Sequence, residues 1–137
     1  MRTCICSPCG ILGYGFPQES FQRALAEKPD AIVGDAGSTD AGPHKLGAGV
    51  AIVSRMAAKK DLRLLMQGAR ELDIPLVIGS AGGSGARIHT EWTLSIIREL
   101  CDEMDWHPKT AVIWADISNE VILDAMAQGR IEKMSEN

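Results

Sequence analysis

The stretch Val77-Ile-Gly-Ser-Ala-Gly-Gly-Ser-Gly-Ala-Arg-Ile-His89 decides how this chain is read. An apolar run over residues 75–78 stops at four glycines in seven residues, Gly79, Gly82, Gly83 and Gly85, and an amphipathic segment begins near Ile88. A buried parallel strand, a glycine-rich turn and a helix have this outline. Glycine permits positive φ and close backbone approach, so such a turn can aim several N–H groups inward. The helix start behind it adds partial positive charge. Together they suit a phosphate or carboxylate; a tight crossover without a ligand has the same residues. The loop is not G-x-G-x-x-G, because Ile88 stands where the third glycine would fall, and it lacks the Gly-Lys-Ser/Thr ending of a P-loop.

Outward from this loop, strands and helices alternate. Residues 3–7 read as a short buried strand, followed by a glycine-punctuated loop over residues 11–16. Pro17 opens a helix with Phe21, Ala24 and Leu25 on one face. Residues 31–34 form the second strand. At its carboxyl end the nine residues from Asp35 to Pro43 hold two carboxylates, two hydroxyls and two glycines. Such a segment is either an Asx-rich turn or a polar cluster where open α/β sheets place their sites. Residues 36–53 read as a long loop, with residues 50–53 as a possible strand fragment. Ser54 caps a helix running to about Asp73, with Met56, Leu62, Leu65, Met66, Ala69 and Leu72 as its stripe. The helix over about 88–104 follows the glycine loop. Residues 110–115 form the fourth strand, with Asp116 at its end, and a last helix begins at Ser118, turns Val121, Ile122 and Met126 inward and closes at Gly129.

Strands alternating with helices predict a Rossmann-like three-layer α/β fold, with a mostly parallel sheet of at least four strands and helices on both faces. Residues 1–131 form one domain and 132–137 a polar tail. Right-handed crossovers bring the strands' carboxyl ends to one edge, which would gather Cys9, Asp35, the Gly79–Gly85 loop and Asp116.

Composition bounds the function. The chain has 137 residues, 45 % of them hydrophobic, and a net charge of −4. That charge gives no electrostatic reason to expect nucleic acid. No apolar run approaches the roughly 20 residues that span a bilayer, and the N-terminus lacks a signal-peptide pattern, so a cytoplasmic address is expected. Three of the four cysteines, Cys4, Cys6 and Cys9, form C-x-C-x-x-C; the fourth is Cys101. A metal or redox site has this look. Free cysteine also packs as a small hydrophobe, and the expectation here is reduced, metal-free thiols.

The motifs Ile11-Leu-Gly-Tyr-Gly-Phe-Pro17, Asp35-Ala-Gly-Ser-Thr-Asp-Ala-Gly-Pro43, Gly79-Ser-Ala-Gly-Gly-Ser-Gly85 and His89-Thr-Glu-Trp-Thr-Leu94 occur in this order. In them the chain resembles the amino-terminal part of the acyclic terpene utilisation AtuA family, from about Cys4 to Ile131. The resemblance implies bacterial catabolism of branched acyclic compounds. Some members carry the label 3-methylaspartate ammonia-lyase, and members often occur beside a small partner protein. Family chains continue beyond the length of this one, which implies an amino-terminal piece or an unusually short form. The first strand of relatives ends in Ser-Pro-Thr-Gly, where this chain has Ser7-Pro-Cys-Gly10.

Three readings of the residues stand side by side. In the first, an enzyme domain or subunit acts on a small anionic or acyl substrate. Asp35, Asp40 and Asp116 are its candidate catalytic carboxylates, since paired carboxylates divide acid and base roles. Ser38, Thr39, Gly79, Ser80, Gly82, Gly83, Ser84 and His89 are its candidate substrate-binding residues. The second reading is a non-catalytic ligand-binding module or partner subunit. The third is a metal-dependent lyase or hydrolase using Asp35, Asp40, His44, His89 and Asp116. The residues imply no particular cofactor. Two open sheet edges predict a homo-oligomer or a complex with a second polypeptide.

Overall fold

The computed structural model describes residues 2–38 and 42–132. It is a mixed α/β chain whose three strands, β1 (Ile5–Cys6), β2 (Ala31–Asp35) and β3 (Leu76–Gly79), form a parallel sheet in the order β1-β2-β3. Ile5 pairs with Ala31, Ile32 with Leu76 and Asp35 with Gly79. The β2–β3 ladder continues one step past the strands, where the Ala36 N–H donates to the Gly79 carbonyl at 3.0 Å.

Three helices build the core. α1 (Gln18–Ala26) turns Phe21 and Leu25 inward. α3 (Arg55–Leu72) buries Ala58, Leu62, Leu65, Met66 and Ala69 at the spacing of one helical face. α4 (Arg87–Met104) adds Ile96 and Leu100, both fully buried. Truncating a leucine such as Leu62 or Leu65 to alanine in such a core costs about 2–5 kcal/mol. Gly68 lets α1 and α3 touch, since a Cβ there would lie 2.9 Å from Phe21 Cζ and 3.0 Å from Leu25 Cδ1. The Ser54 hydroxyl caps α3 by accepting the Ala57 N–H at 3.2 Å. Asp73 and Asp105 close α3 and α4 in the left-handed conformation common at helix C-termini.

α3 and α4 are laced together along their solvent side. Arg55 pairs with Glu99, Lys59 with both Glu99 and Glu103, and Arg63 with Glu103. Residues 55, 59 and 63 share one helix ridge, as do 99 and 103, so opposite charges alternate across the groove.

The structure departs from the sequence expectation at five places. First, no fourth strand forms among the described residues. Residues 109–118 are irregular and largely exposed, and Ala115 alone among residues 111–115 donates a backbone N–H to a carbonyl, that of Gly85 at 3.2 Å. The segment has strand-forming residues but no ladder partner. Second, the helices of the described residues do not cover both faces. Alternation places Ile32, Gly34 and Ile78 toward α3, and leaves Ile5 and Val77 on the other face about half exposed, at 51 % and 50 %. The order β1-β2-β3 advances in one direction, and right-handed crossovers that advance in one direction stay on one face. Third, part of the long loop is helical, as α2 (Gly42–Ala48). Fourth, residues 50–53 form no strand. Fifth, the last helix, α5 (Asn119–Ala127), is present with its Ser118 cap, but buries none of its residues, so Val121, Ile122 and Met126 do not point into a core.

Candidate functional site

Asp35 is the last residue of β2 and faces Gly79, the last residue of β3. Its Oδ1 accepts the Gly37 N–H at 3.0 Å, which folds the chain back over the strand end. The same oxygen would lie 3.7 Å from a Cβ on Gly79. Gly37 packs directly on Ser80, where an added Cβ would meet Ser80 Cβ at 2.7 Å and Oγ at 2.9 Å. The expected meeting of Asp35 with the glycine turn therefore occurs. Asp35, Gly37, Ser38, Ser80 and Gly83 line one open cavity of about 460 Å³, within the size range of small-molecule sites.

The turn is shaped by its backbone. Ser80 holds φ 47° and ψ 40°, a left-handed conformation costly for a residue with a Cβ. A short 3₁₀ turn, Ala81–Gly83, follows, and Gly82 has φ 71°. A Cβ on Gly82 would come within 2.4 Å of the His89 carbonyl oxygen, so backbone lies on backbone there. This close approach explains glycine at that position without a ligand.

The remaining expected site residues do other work. Ser84 and His89 form a pair beneath the turn, with Ser84 Oγ 2.8 Å from His89 Nδ1, while Ser84 Oγ also accepts the Ala86 N–H at 3.1 Å. His89 is only 1 % exposed, and its Nε2 has no hydrogen-bond partner among the described residues. Neither side chain lines the cavity. Asp116 accepts the Arg87 N–H at 2.9 Å and so caps the first turn of α4. Carboxylates suit that position. The guanidinium of Arg87 stacks 4.2 Å from the centre of the Trp114 ring. The N-terminus of α4 is thus served by Ser84 and Asp116 from within the chain. Thr39 and Asp40 lie outside the described residues. His44 is exposed on α2. Among the described residues, no three His, Cys, Asp or Glu side chains come together to hold a metal ion.

All four cysteines are free thiols, with Cys4 exposed and Cys6, Cys9 and Cys101 buried. Cys9 Sγ would lie 3.7 Å from a Cβ on Gly34, under the sheet's carboxyl edge. Burial raises its pKa above the ordinary thiol value, and the charges of Asp61 and Asp35 push the same way. That is the opposite of an activated nucleophile.

Asp61 escaped the sequence reading. It is 2 % exposed on α3, and its Oδ2 accepts the N–H groups of Gly13 at 2.8 Å and Gly15 at 2.9 Å. The loop so clamped also donates the Leu12 N–H to the Asp35 carbonyl at 2.7 Å, which ties the loop to the strand end at the cavity. The available signal was a carboxylate inside the apolar stripe of α3, three residues after Ala58 and four before Leu65.

No helix of the described residues is long and apolar enough to cross a membrane. No protein-family model, no curated protein and no solved structure matches this chain.

Proposed function

We propose that the chain binds a small anionic or acyl ligand at the carboxyl edge of its sheet, as a domain or subunit of a bacterial catabolic enzyme. The observation that supports this reading is the shared open cavity, whose lining holds one carboxylate residue, Asp35, two hydroxyl residues, Ser38 and Ser80, and two glycines, Gly37 and Gly83. Asp35 is the group to orient a substrate hydroxyl or to take a proton, because Gly37 engages one of its oxygens. Ser38, Ser80 and the turn backbone are the polar donors that fix the ligand. Membership of the AtuA family is part of the same proposal, resting on the four ordered motifs. So are a Rossmann-like arrangement of the sheet, a cytoplasmic location, and a homo-oligomer or a complex with a second polypeptide.

A ligand-binding module without chemistry is the second reading. It is favoured by Asp116, which caps α4 and does not join Asp35 in the cavity. Acid–base division between two carboxylates therefore has one member among the described residues. The test is calorimetric titration with short carboxylic acids, inorganic phosphate and short acyl thioesters, on the wild type, Asp35→Asn and Ser80→Ala. Binding that weakens at least about tenfold, about 1.4 kcal/mol, in Ser80→Ala supports the site. Turnover lost in Asp35→Asn with binding retained selects the enzyme. Affinities unmoved by either change would remove the proposal.

A further inference from the structure

We propose that Asp61 is a positioning residue for the cavity at the sheet's carboxyl edge, holding through the loop over residues 11–16 the strand end that carries Asp35. This role rests on the ligand reading above and deepens it, since Asp61 does not itself line the cavity. The need for it begins in β1. That strand pairs with β2 only at Ala31 and Ile32, and Pro8 stands two residues after its end. Proline has no N–H and cannot carry a ladder on. β2 is the middle strand, yet among the described residues 33–35 are paired on the β3 side alone. Ile32 and Ala36 donate their N–H groups to Pro75 and Gly79 on that side, at 2.9 and 3.0 Å. Backbone groups alternate along a strand, so those of Asp35 point the other way, to the side that β1 has left. Leu12, 2 % exposed, takes that place, and its N–H donates to the Asp35 carbonyl at 2.7 Å.

The glycines beside Leu12 make this bond depend on a distant partner. Gly13 has φ 98° and Gly15 φ 82°. Glycine reaches such conformations easily and loses the most freedom when one is fixed. Asp61 fixes both, since its Oδ2 accepts the Gly13 N–H at 2.8 Å and the Gly15 N–H at 2.9 Å. Hydrogen bonds to a carboxylate are roughly twice as strong as those between neutral groups. The carboxylate is itself well held, because Asp61 is 2 % exposed and its helix neighbours Leu62 and Leu65 are fully buried. The constraint runs from α3 to the two glycines and from Leu12 to the Asp35 carbonyl. It ends at the Asp35 side chain, whose Oδ1 accepts the Gly37 N–H at 3.0 Å. Groups that bind a ligand work well only when supporting contacts hold them to about 0.5 Å. Asp61 is the source of that support on the β1 side.

The experiment compares the full chain with Asp61→Ala, Asp61→Asn and a core control, Ile96→Val, by amide hydrogen exchange and by calorimetric titration with inorganic phosphate and short carboxylic acids. Asp61→Ala is expected to speed exchange of the Leu12 and Ala36 amides at least about tenfold beyond any change at Leu62 and Leu65, because local opening is separate from global unfolding. Asp61→Asn keeps an acceptor oxygen and should move the same amides in the same direction by less; it decides the matter should Asp61→Ala fail to fold. In Ile96→Val those amides should change only in step with Leu62 and Leu65. A probe that the wild type binds should bind at least about tenfold more weakly to Asp61→Ala, and more weakly to Asp61→Asn, at urea-free conditions where circular dichroism shows both folded. Leu12 and Ala36 amides that follow Leu62 and Leu65 in both Asp61 variants overturn the proposal. So does an affinity that neither variant changes. A wild type that binds no probe removes the ligand reading, and the exchange data then decide alone whether Asp61 holds the Asp35 strand end.

Discussion

The amide N–H of Gly13 donates to the buried Oδ2 of Asp61 at 2.8 Å, joining the loop after β1 to α3 across 48 residues of sequence. A second donor, Gly15, meets the same oxygen at 2.9 Å. A carboxylate on an apolar helix face is tolerated only if its lone pairs are used, and here two backbone donors use one oxygen. Asp61→Ala leaves both donors without their acceptor and is expected to cost about 1–3 kcal/mol. Asp61→Asn keeps an acceptor oxygen and should lose less. Urea denaturation at constant m-value checks the order. Equal losses for the two variants would mean that the side chain packs there and does not clamp.

The ladder of charges between α3 and α4 predicts the pH dependence of stability. Hydrogen bonds from Lys59 and then Arg55 hold the Glu99 carboxyl below its ordinary pKa; Lys59 and then Arg63 do the same for Glu103. Hydrogen bonds to Glu103 and Glu99 hold Lys59 above its own. For a carboxylate with a lowered folded pKa, the contribution is present above the unfolded value and disappears as pH falls through the folded one. For the lysine it is present below the unfolded value and disappears as pH rises through the raised one. The expected difference in urea midpoint between wild type and Glu99→Gln/Glu103→Gln is therefore largest near neutrality. It should close as pH drops below the ordinary carboxylate range, about 4. All these groups face solvent, so added salt should shrink the difference too. A difference independent of both pH and salt would refute the account.

The thiols differ in burial, and this sets an order of reaction. Cys4 is exposed, whereas Cys6, Cys9 and Cys101 are buried. Burial raises the pKa of all three, with Cys4 adding to it for Cys6 and Asp102 for Cys101. A disulfide reagent at neutral pH should therefore label one thiol quickly and three only as the chain opens. The Cys4→Ser variant should lose the fast phase alone. A fast phase that survives this substitution would place the reactive thiol elsewhere, with Cys9 the first to examine.

Much of the fold could be read from local pattern because local pattern is where its physics lies. Ser54 and Ser118 cap helices as their positions before apolar periods imply. The Gly79–Gly85 stretch does turn a strand into a helix. Residues 110–115 show the limit: β-branched and aromatic residues favour a pleated environment, but a strand exists only with a ladder beside it. α2 was illegible for the converse reason. Its sequence, Gly42-Pro-His-Lys-Leu-Gly-Ala48, holds two glycines, which weaken a helix by about 1 kcal/mol each. The site divided in the same way. Asp35 meets the glycine turn because parallel strand ends share an edge. Asp116 became a helix cap and His89 a buried partner of Ser84 through geometry that spacing does not encode.

The last prediction concerns Gly37 and Ser80, whose fit sets the wall of the cavity. A Cβ on Gly37 would stand 2.7 Å from Ser80 Cβ, closer than real Cβ contacts come, and 3.4 Å from the Gly83 carbonyl oxygen. Ser80 cannot easily retreat, since it already holds a left-handed conformation at φ 47°. Gly37→Ala should therefore push the 36–38 segment off the turn, and a loss of about 1–3 kcal/mol is typical of such overpacking. Ser80→Gly acts in two ways. It removes the side chain that clashes, and it relieves a backbone conformation that disfavours a Cβ by roughly 1–2 kcal/mol. Alone, it should be neutral or stabilising in urea while weakening any ligand that uses the Ser80 hydroxyl. Combined with Gly37→Ala, it should recover most of the lost stability, giving a coupling of at least about 1 kcal/mol in a double-mutant cycle. If the two changes simply add, the 36–38 segment and the turn do not bear on each other in solution, and the cavity they line is not a fixed one.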